Sequence, residues 1–130
     1  MINTEIVYRF FKEGYESKNY DFVMNYLADD YMDHSPAGAR GNAQAVGILK
    51  TVADQFSDLS IQMLDIFADN EMVATSVLYQ EVHSGTCMGI AATGKKISFE
   101  ALENFKVVDG KIVESWGYWP DKEIEEKLRS

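Results

Sequence analysis

The segment KISFEALENFKVVDGKIVESWGYW, which runs from Lys96 to Trp119, decides the fold. Two stretches rich in strand-forming residues flank Asp109-Gly110, a dipeptide that suits the tight turn of a β-hairpin. The segment therefore predicts one strand over Lys96–Val108 and a returning strand over Lys111–Trp119. Pro120 is expected to end the second strand, because proline has no backbone N–H to donate to a sheet.

The first half of the chain has helical spacing instead. Apolar residues recur every three or four positions in Glu5–Ser17, which predicts one amphipathic helix there. Asn19 suits the start of a short second helix, and a third helix is expected to begin after Gly41. Between the second and third helices, the turn-rich stretch Tyr31–Gly38 is expected to be irregular.

The second half adds two strands before the hairpin. Leu59–Phe67 and Met72–Ser84 are rich in apolar and β-branched residues, and Gly85–Lys95 has the glycines of a loop. A short tail helix is expected over Asp121–Arg129. Helices followed by a strand meander predict one α+β domain over residues 1–130, with a bent antiparallel sheet of about four to six strands under three N-terminal helices.

Composition excludes several classes of partner. The 130 residues carry a net charge of -9, which argues against nucleic acid and anionic membranes because both require a cationic face. One cysteine, Cys87, and two histidines provide no metal-ligand cluster, so no metal and no other cofactor are expected. The N-terminus has no signal-peptide pattern, and no apolar run approaches the ~18 residues of a membrane span. The expected compartment is the cytoplasm.

Glu103 is the first candidate catalytic residue. Alternation along its strand places it on one face with Ile97, Phe99, Ala101 and Phe105, which are all apolar. Burial among such neighbours raises the pKa of a carboxyl group, and a carboxyl near neutrality can act as a general acid or base. A local bulge, or pairing of Glu103 with a nearby Lys or Arg, is the alternative interpretation.

His34 is the second candidate, since an imidazole can carry a proton near neutral pH. It follows Asp33 in a turn, where it could also be a loop histidine bonded to its own backbone. His83 and Glu81 share a strand face with Tyr79, whose hydroxyl could donate to a substrate carbonyl; His83 could instead pack at the sheet edge. The expected ligand-contacting set is Phe56, Tyr79, Glu81, His83, Tyr118 and Trp119.

The last strand indicates a second copy of the chain as partner. Its large rings, Trp116, Tyr118 and Trp119, fall on both faces of the strand. A face exposed to water does not need large aromatic residues. We therefore expect the outer sheet face to pack on a second copy and form a homodimer.

Five motifs occur in an order that resembles the SnoaL-like branch of the nuclear transport factor 2-like superfamily. They are Tyr31–His34, Phe56–Leu59, Val82–Gly85, Gly89–Gly94 and Phe105–Trp116. The resemblance runs from about residue 5 to 119, and its most specific part is DGKIVESW. It implies a cone-shaped α+β fold with a pocket between sheet and helices, and a dimer formed through the sheet.

The resemblance also implies chemistry. Polyketide cyclases of this branch close rings by intramolecular aldol condensation without a cofactor. Their two pocket histidines correspond here to His34 and, by spacing, to Glu103, while an aspartate after the last-strand tryptophan corresponds to Gly117. Pro120 stands where many members have another aspartate. The replacements at Glu103 and Gly117 argue against the cyclase reaction itself.

Two functions follow as hypotheses. The first is a cofactor-independent cyclase, isomerase, lyase or hydrolase that uses Glu103 and His34 on a carbonyl compound with a mostly apolar or aromatic body. The second is a non-catalytic, small-molecule-binding or stress-associated dimer. Fold alone does not distinguish these two functions.

Overall fold

The computed structural model describes all residues from 1 to 130. An N-terminal α-helix passes directly into a π-helix, and three further α-helices follow along the chain. In chain order, these are α1 Asn3–Arg9, π1 Phe10–Glu16, α2 Tyr20–Tyr26, α3 Asn42–Gln55 and α4 Asp121–Arg129. The five strands are β1 Leu27–Asp33, β2 Phe56–Asp69, β3 Met72–His83, β4 Lys96–Val108 and β5 Lys111–Tyr118.

The strands form one mixed sheet in the order β1-β5-β4-β3-β2. The β2, β3, β4 and β5 strands are antiparallel neighbours, and the predicted hairpin is confirmed. Its turn uses positive φ angles at Asp109 (50°) and Gly110 (79°), as a two-residue turn matching the twist of the strands requires. The α+β fold and the curved sheet are therefore confirmed.

Strand β1 was not expected from the sequence. Tyr31 to Asp33, assigned to an irregular stretch, belong to this strand, which pairs with β5 in parallel. Two exposed residues, Asp29 and Asp30, break the alternation within it, and the register shifts between Leu27 and Met32. Such an edge strand lacks the regular pattern by which strands are recognised. It makes the sheet mixed rather than wholly antiparallel.

The first helix also differs from expectation. The stretch predicted as a single helix becomes a π-helix from Phe10 onwards. At its end the Ser17 N–H donates to the Lys12 carbonyl at 3.0 Å, a spacing of five residues. Hydrophobic spacing alone does not separate the two helix types, because both bury one apolar stripe.

The core lies between the inner sheet face and the helices. Along β3, residues Val73, Val77 and Tyr79 are fully buried, and α1 and π1 cover them with Ile6, Val7, Phe10 and Phe11. The tail helix α4 was predicted correctly. It packs against β4 and buries Ile124 and Leu128. None of the helices is both long and apolar enough to cross a membrane.

Candidate functional site

A cavity of about 210 Å³ opens between the helices and the strands β1, β4 and β5. Three acidic residues line it: Asp33 from β1, Glu103 from β4 and Asp121 from the start of α4. Most of the remaining wall is aromatic, aliphatic or hydroxyl-bearing. Its members include Phe10, Tyr15, Tyr31, Val52, Ser115 and Trp119. A largely apolar cavity with a few convergent polar groups is the usual form of a small-molecule site.

Glu103 faces the cavity, as alternation along β4 predicts. The Tyr79 hydroxyl donates a hydrogen bond to Glu103 Oε2 at 2.5 Å. Burial raises the pKa of Glu103 from its ordinary value of 4.5 to about 7; the nearby charge of Asp33 adds to this increase, and the Tyr79 bond opposes it. The carboxyl can therefore give or take a proton near neutral pH.

Gly117 provides the space that Glu103 fills. The two residues are cross-strand partners in the β4–β5 pair. A Cβ at position 117 would lie 2.7 Å from Glu103 Cγ, closer than real Cβ contacts come, and 3.0 Å from its Oε1, which is tighter than most. The glycine and the glutamate therefore form one steric unit, because a side chain at position 117 would displace the Glu103 side chain.

Asp33 belongs to a second hydrogen-bonded group in the same cavity. Its Oδ1 accepts from the Ser35 N–H at 2.8 Å and from the Ser115 hydroxyl at 3.5 Å. The Tyr31 hydroxyl lies 2.5 Å from Ser115 Oγ, and burial raises the pKa of Tyr31. These bonds hold the Asp33 carboxylate in place. Sequence reasoning did not select Asp33, Tyr31 or Ser115, although Tyr31 and Asp33 alternate as residues on one strand face do.

Aromatic rings support the Glu103 side of the cavity. Tyr79 stacks on Phe99 with ring centroids 5.0 Å apart, and Trp119 lies 4.9 Å from both rings. Tyr15 meets Tyr79 edge-on at 5.6 Å. Burial and the charge of Glu103 raise the pKa of both tyrosines. Their hydroxyl groups therefore stay protonated and can act as hydrogen-bond donors.

The structure does not bring His34 and Glu103 together. Asp33 faces the cavity, so the next residue, His34, turns to the other side of the sheet. There its ring stacks on Trp116 at 4.9 Å, and its Nε2 lies 2.7 Å from Glu114 Oε2. The pairing of His34 with Glu103 was therefore wrong, because the turn after β1 was misjudged and the position of Asp33 was missed.

Glu81 and His83 are fully buried and do not line the Glu103 cavity. His83 Nδ1 accepts from the Thr93 N–H at 3.2 Å and lies 2.9 Å from Thr93 Oγ1. Both Glu81 carboxyl oxygens and His83 Nε2 have no hydrogen-bond partner. Burial raises the pKa of Glu81 from 4.5 to about 8. Alternation predicted their face correctly, but it could not show that His83 is bonded to Thr93 of the following loop.

The remaining candidates separate into three locations. Trp119 lines the Glu103 cavity, while Phe56 lines a neighbouring cavity of about 220 Å³. Tyr118 is 65% exposed on the outer sheet face, beyond reach of either cavity. No group of three or more His, Cys, Asp or Glu side chains is placed to hold a metal ion.

Comparison with known proteins supplies a family. The family model for the SnoaL-like polyketide cyclase matches residues 5–128. No curated protein matches the chain. Among solved structures, IdmH from Streptomyces antibioticus has a TM-score of 0.89 at 22% identity, and the match covers 100% of both chains.

Two other solved structures share the fold. A SnoaL-like polyketide cyclase from Agrobacterium tumefaciens str. C58 has a TM-score of 0.82 at 15% identity, covering 98% of each chain. An LEH-like epoxide hydrolase from M. tuberculosis has a TM-score of 0.76 at 18% identity, covering 98% of this chain and 89% of its own. At such identities the likeness extends to the fold alone.

Proposed function

The chain belongs to the SnoaL-like polyketide cyclase family, and from this premise we propose that it is an enzyme that moves protons on a small, mostly apolar carbonyl compound without a cofactor. The observation that carries the proposal is the presence of Glu103 and Asp33 in one cavity. Two carboxyl groups in different environments can divide the roles of acid and base, as they do in ketosteroid isomerase and lysozyme.

The two groups have different roles. Glu103, with a pKa of about 7, donates its proton to the substrate carbonyl oxygen. The Asp33 carboxylate, held by Ser35 and Ser115, removes a proton from the carbon next to that carbonyl. The C–H electron pair becomes the new C=C bond of an enol, and the carbonyl electron pair moves to oxygen, where it binds the proton from Glu103.

The enol is common to several reaction types. Ring closure, double-bond migration and elimination can each start from it, which corresponds to cyclase, isomerase and lyase activity. A hydrolase would use the same pair differently, with Asp33 activating water. Tyr79 orients the Glu103 carboxyl through its hydrogen bond, so it replaces His34 as the partner of Glu103 in this mechanism.

Exchange of substrate protons with solvent tests the proposal. Aromatic polyketides, steroids and small aryl ketones are first screened for binding by thermal shift. Bound ketones are then incubated in D2O, and deuterium uptake next to the carbonyl is followed by NMR. We expect Glu103→Gln and Asp33→Asn each to slow the uptake by about 10²-fold or more, as for a lost general acid or base. Glu114→Gln is the control, because Glu114 is bonded to His34 outside the cavity.

Each outcome separates the two functions. Uptake that disappears in both cavity variants, with binding retained, supports the enzyme. Ligand binding with no enzyme-dependent uptake in the wild-type chain contradicts it and favours a non-catalytic small-molecule-binding or stress-associated domain.

A homodimer through the outer sheet face is part of the proposal. Three large apolar side chains of the sheet are well exposed: Leu102 on β4 (72%), Tyr118 on β5 (65%) and Phe67 on the edge strand β2 (65%). Apolar exposure of this kind often marks an interface. Light scattering after size exclusion is expected to give twice the mass of 14.7 kDa, and Leu102→Asp is expected to give the monomer. A monomeric wild-type chain would contradict the dimer.

The cytoplasmic location stays a prediction from the sequence.

A further inference from the structure

A second cavity adjoins the Glu103 cavity and has no role in the mechanism above. It measures about 220 Å³ and lies between π1, α3 and β2. Six of its nine lining residues are apolar or aromatic, and the other three are charged: Tyr15, Leu49, Val52, Ala53, Phe56 and Leu59, with Glu16, Lys18 and Asp58. Tyr15 and Val52 line both cavities. They therefore form the partition between two neighbouring chambers, which we call the Glu103 chamber and the Phe56 chamber.

The partition is positioned by an unusual backbone. Tyr15 and Glu16 end the π-helix, and π-helical turns are rare and occur often at functional sites. The Glu16 carboxylate accepts from the Ile61 N–H at 2.6 Å and from Lys12 Nζ at 2.9 Å. These bonds tie the end of the π-helix to β2. They hold the backbone next to Tyr15, whose ring packs on Phe11, Tyr79 and Trp119.

The opening of the Phe56 chamber also has unusual backbone conformations. Lys18 (φ 54°) and Asp58 (φ 51°) are both left-handed without being glycine, and both line this chamber. Asp58 sits where the β2–β3 register shifts between Ser57 and Ser60. Left-handed non-glycine residues and bulges of this kind occur preferentially at ligand sites. Two such residues lining one chamber support its use as a ligand site.

We propose that the substrate has two parts, a carbonyl-bearing head in the Glu103 chamber and an apolar arm that passes Tyr15 into the Phe56 chamber. This inference rests on the proposed function of the Glu103 site. A cavity of roughly 150 Å³ is large enough to hold benzene, so a chamber of about 220 Å³ has room for a substituted six-membered ring or a short alkyl chain, placed against its apolar side chains and away from the charged Glu16, Lys18 and Asp58. Tyr15 is then a residue that determines substrate specificity.

A series of straight-chain methyl ketones tests this assignment by calorimetric titration against the full chain. While the alkyl chain extends through the Glu103 chamber and past Tyr15, each added methylene is expected to increase affinity about fourfold. If the Phe56 chamber takes the arm, the increase continues beyond the chain length that fills the Glu103 chamber alone. An increase that stops at that length in the wild-type chain overturns the two-part substrate.

Chamber-specific variants locate the arm. Ala53→Leu and Leu59→Trp fill only the Phe56 chamber, and we expect either to remove the affinity gain of long ketones while short ketones bind as before. Ala37→Leu fills the Glu103 chamber and serves as the matched control that weakens short ketones. Far-UV circular dichroism and thermal melting establish that each variant is folded.

The outcomes also separate this inference from the proposed function. If short ketones bind and long ones gain nothing, only the Phe56 chamber assignment fails. Equal weakening of short and long ketones by both Ala53→Leu and Leu59→Trp likewise overturns it. If no ketone of any length binds the wild-type chain, the proposed function and the two-part substrate fail together.

Discussion

Substituting Gly117 by alanine should damage the site through a single steric contact. The new Cβ would lie 2.7 Å from Glu103 Cγ and 3.0 Å from Oε1, so the glutamate must move. Overpacking of this kind costs about 1–3 kcal/mol of unfolding free energy. Movement of the carboxyl also breaks its hydrogen bond with Tyr79, which adds about 0.5–1.5 kcal/mol.

Glu103→Ala removes the group that the new methyl would strike. In that background, Gly117→Ala should be neutral or slightly stabilising, since alanine in a strand is favoured over glycine by about 0.5–1 kcal/mol. Gly117 does not have a positive φ angle, so its backbone imposes no separate cost. The two substitutions should therefore be coupled by at least about 1.5 kcal/mol.

A double-mutant cycle measures this coupling. Urea unfolding of the wild type, Gly117→Ala, Glu103→Ala and the double variant gives four free energies at one pH. Independent sites add within about 0.5 kcal/mol. If the two substitutions are additive within that margin, the Glu103 side chain does not occupy the space over Gly117, and the assigned geometry of the site is wrong.

Two further predictions concern the buried polar groups. Tyr79→Phe removes the hydrogen bond that lowers the pKa of Glu103, so that pKa should rise above about 7 in an NMR titration; an unchanged or lower value would contradict the bond. Glu81, with a pKa raised from 4.5 to about 8, binds its proton more tightly in the folded chain. The stability gained from this bound proton is therefore fully present below about pH 4.5 and is lost as pH rises through 8. The loss amounts to about 4–5 kcal/mol of unfolding free energy. Urea unfolding from pH 5 to 9 should give Glu81→Gln a weaker decline than the wild type, and parallel curves would refute the burial of that carboxyl.

Much of the fold could be predicted from local patterns. Alternation and the Asp109-Gly110 turn predicted β4 and β5, and the orientation of Glu103 followed from the same alternation. These features depend on neighbours along one chain segment, which a sequence displays directly. Strand β1 was missed because it is an edge strand with two exposed aspartates and pairs with a strand far along the chain.

The site was harder to predict because it joins distant segments. Asp33 and Ser115 meet only because β1 lies beside β5, and the misreading of β1 led to the choice of His34 in place of Asp33. The relation between Glu103 and Gly117 depends on the cross-strand register. From the sequence alone, Gly117 is only a position where the resemblance expects an aspartate. In the structure, its lack of a side chain leaves the space that the Glu103 side chain occupies. The bond between His83 and Thr93 of the following loop was likewise not visible in the alternation of β3.

Titration of the Glu103 carboxyl tests the central claim most directly. The carboxyl carbon is followed by ¹³C NMR in labelled protein and assigned by its disappearance in Glu103→Gln. We expect a midpoint near pH 7, against the ordinary value of 4.5, and a lower midpoint in Asp33→Asn because the neighbouring negative charge is gone. A midpoint near 4.5 in the wild-type chain would contradict the acid–base role of Glu103.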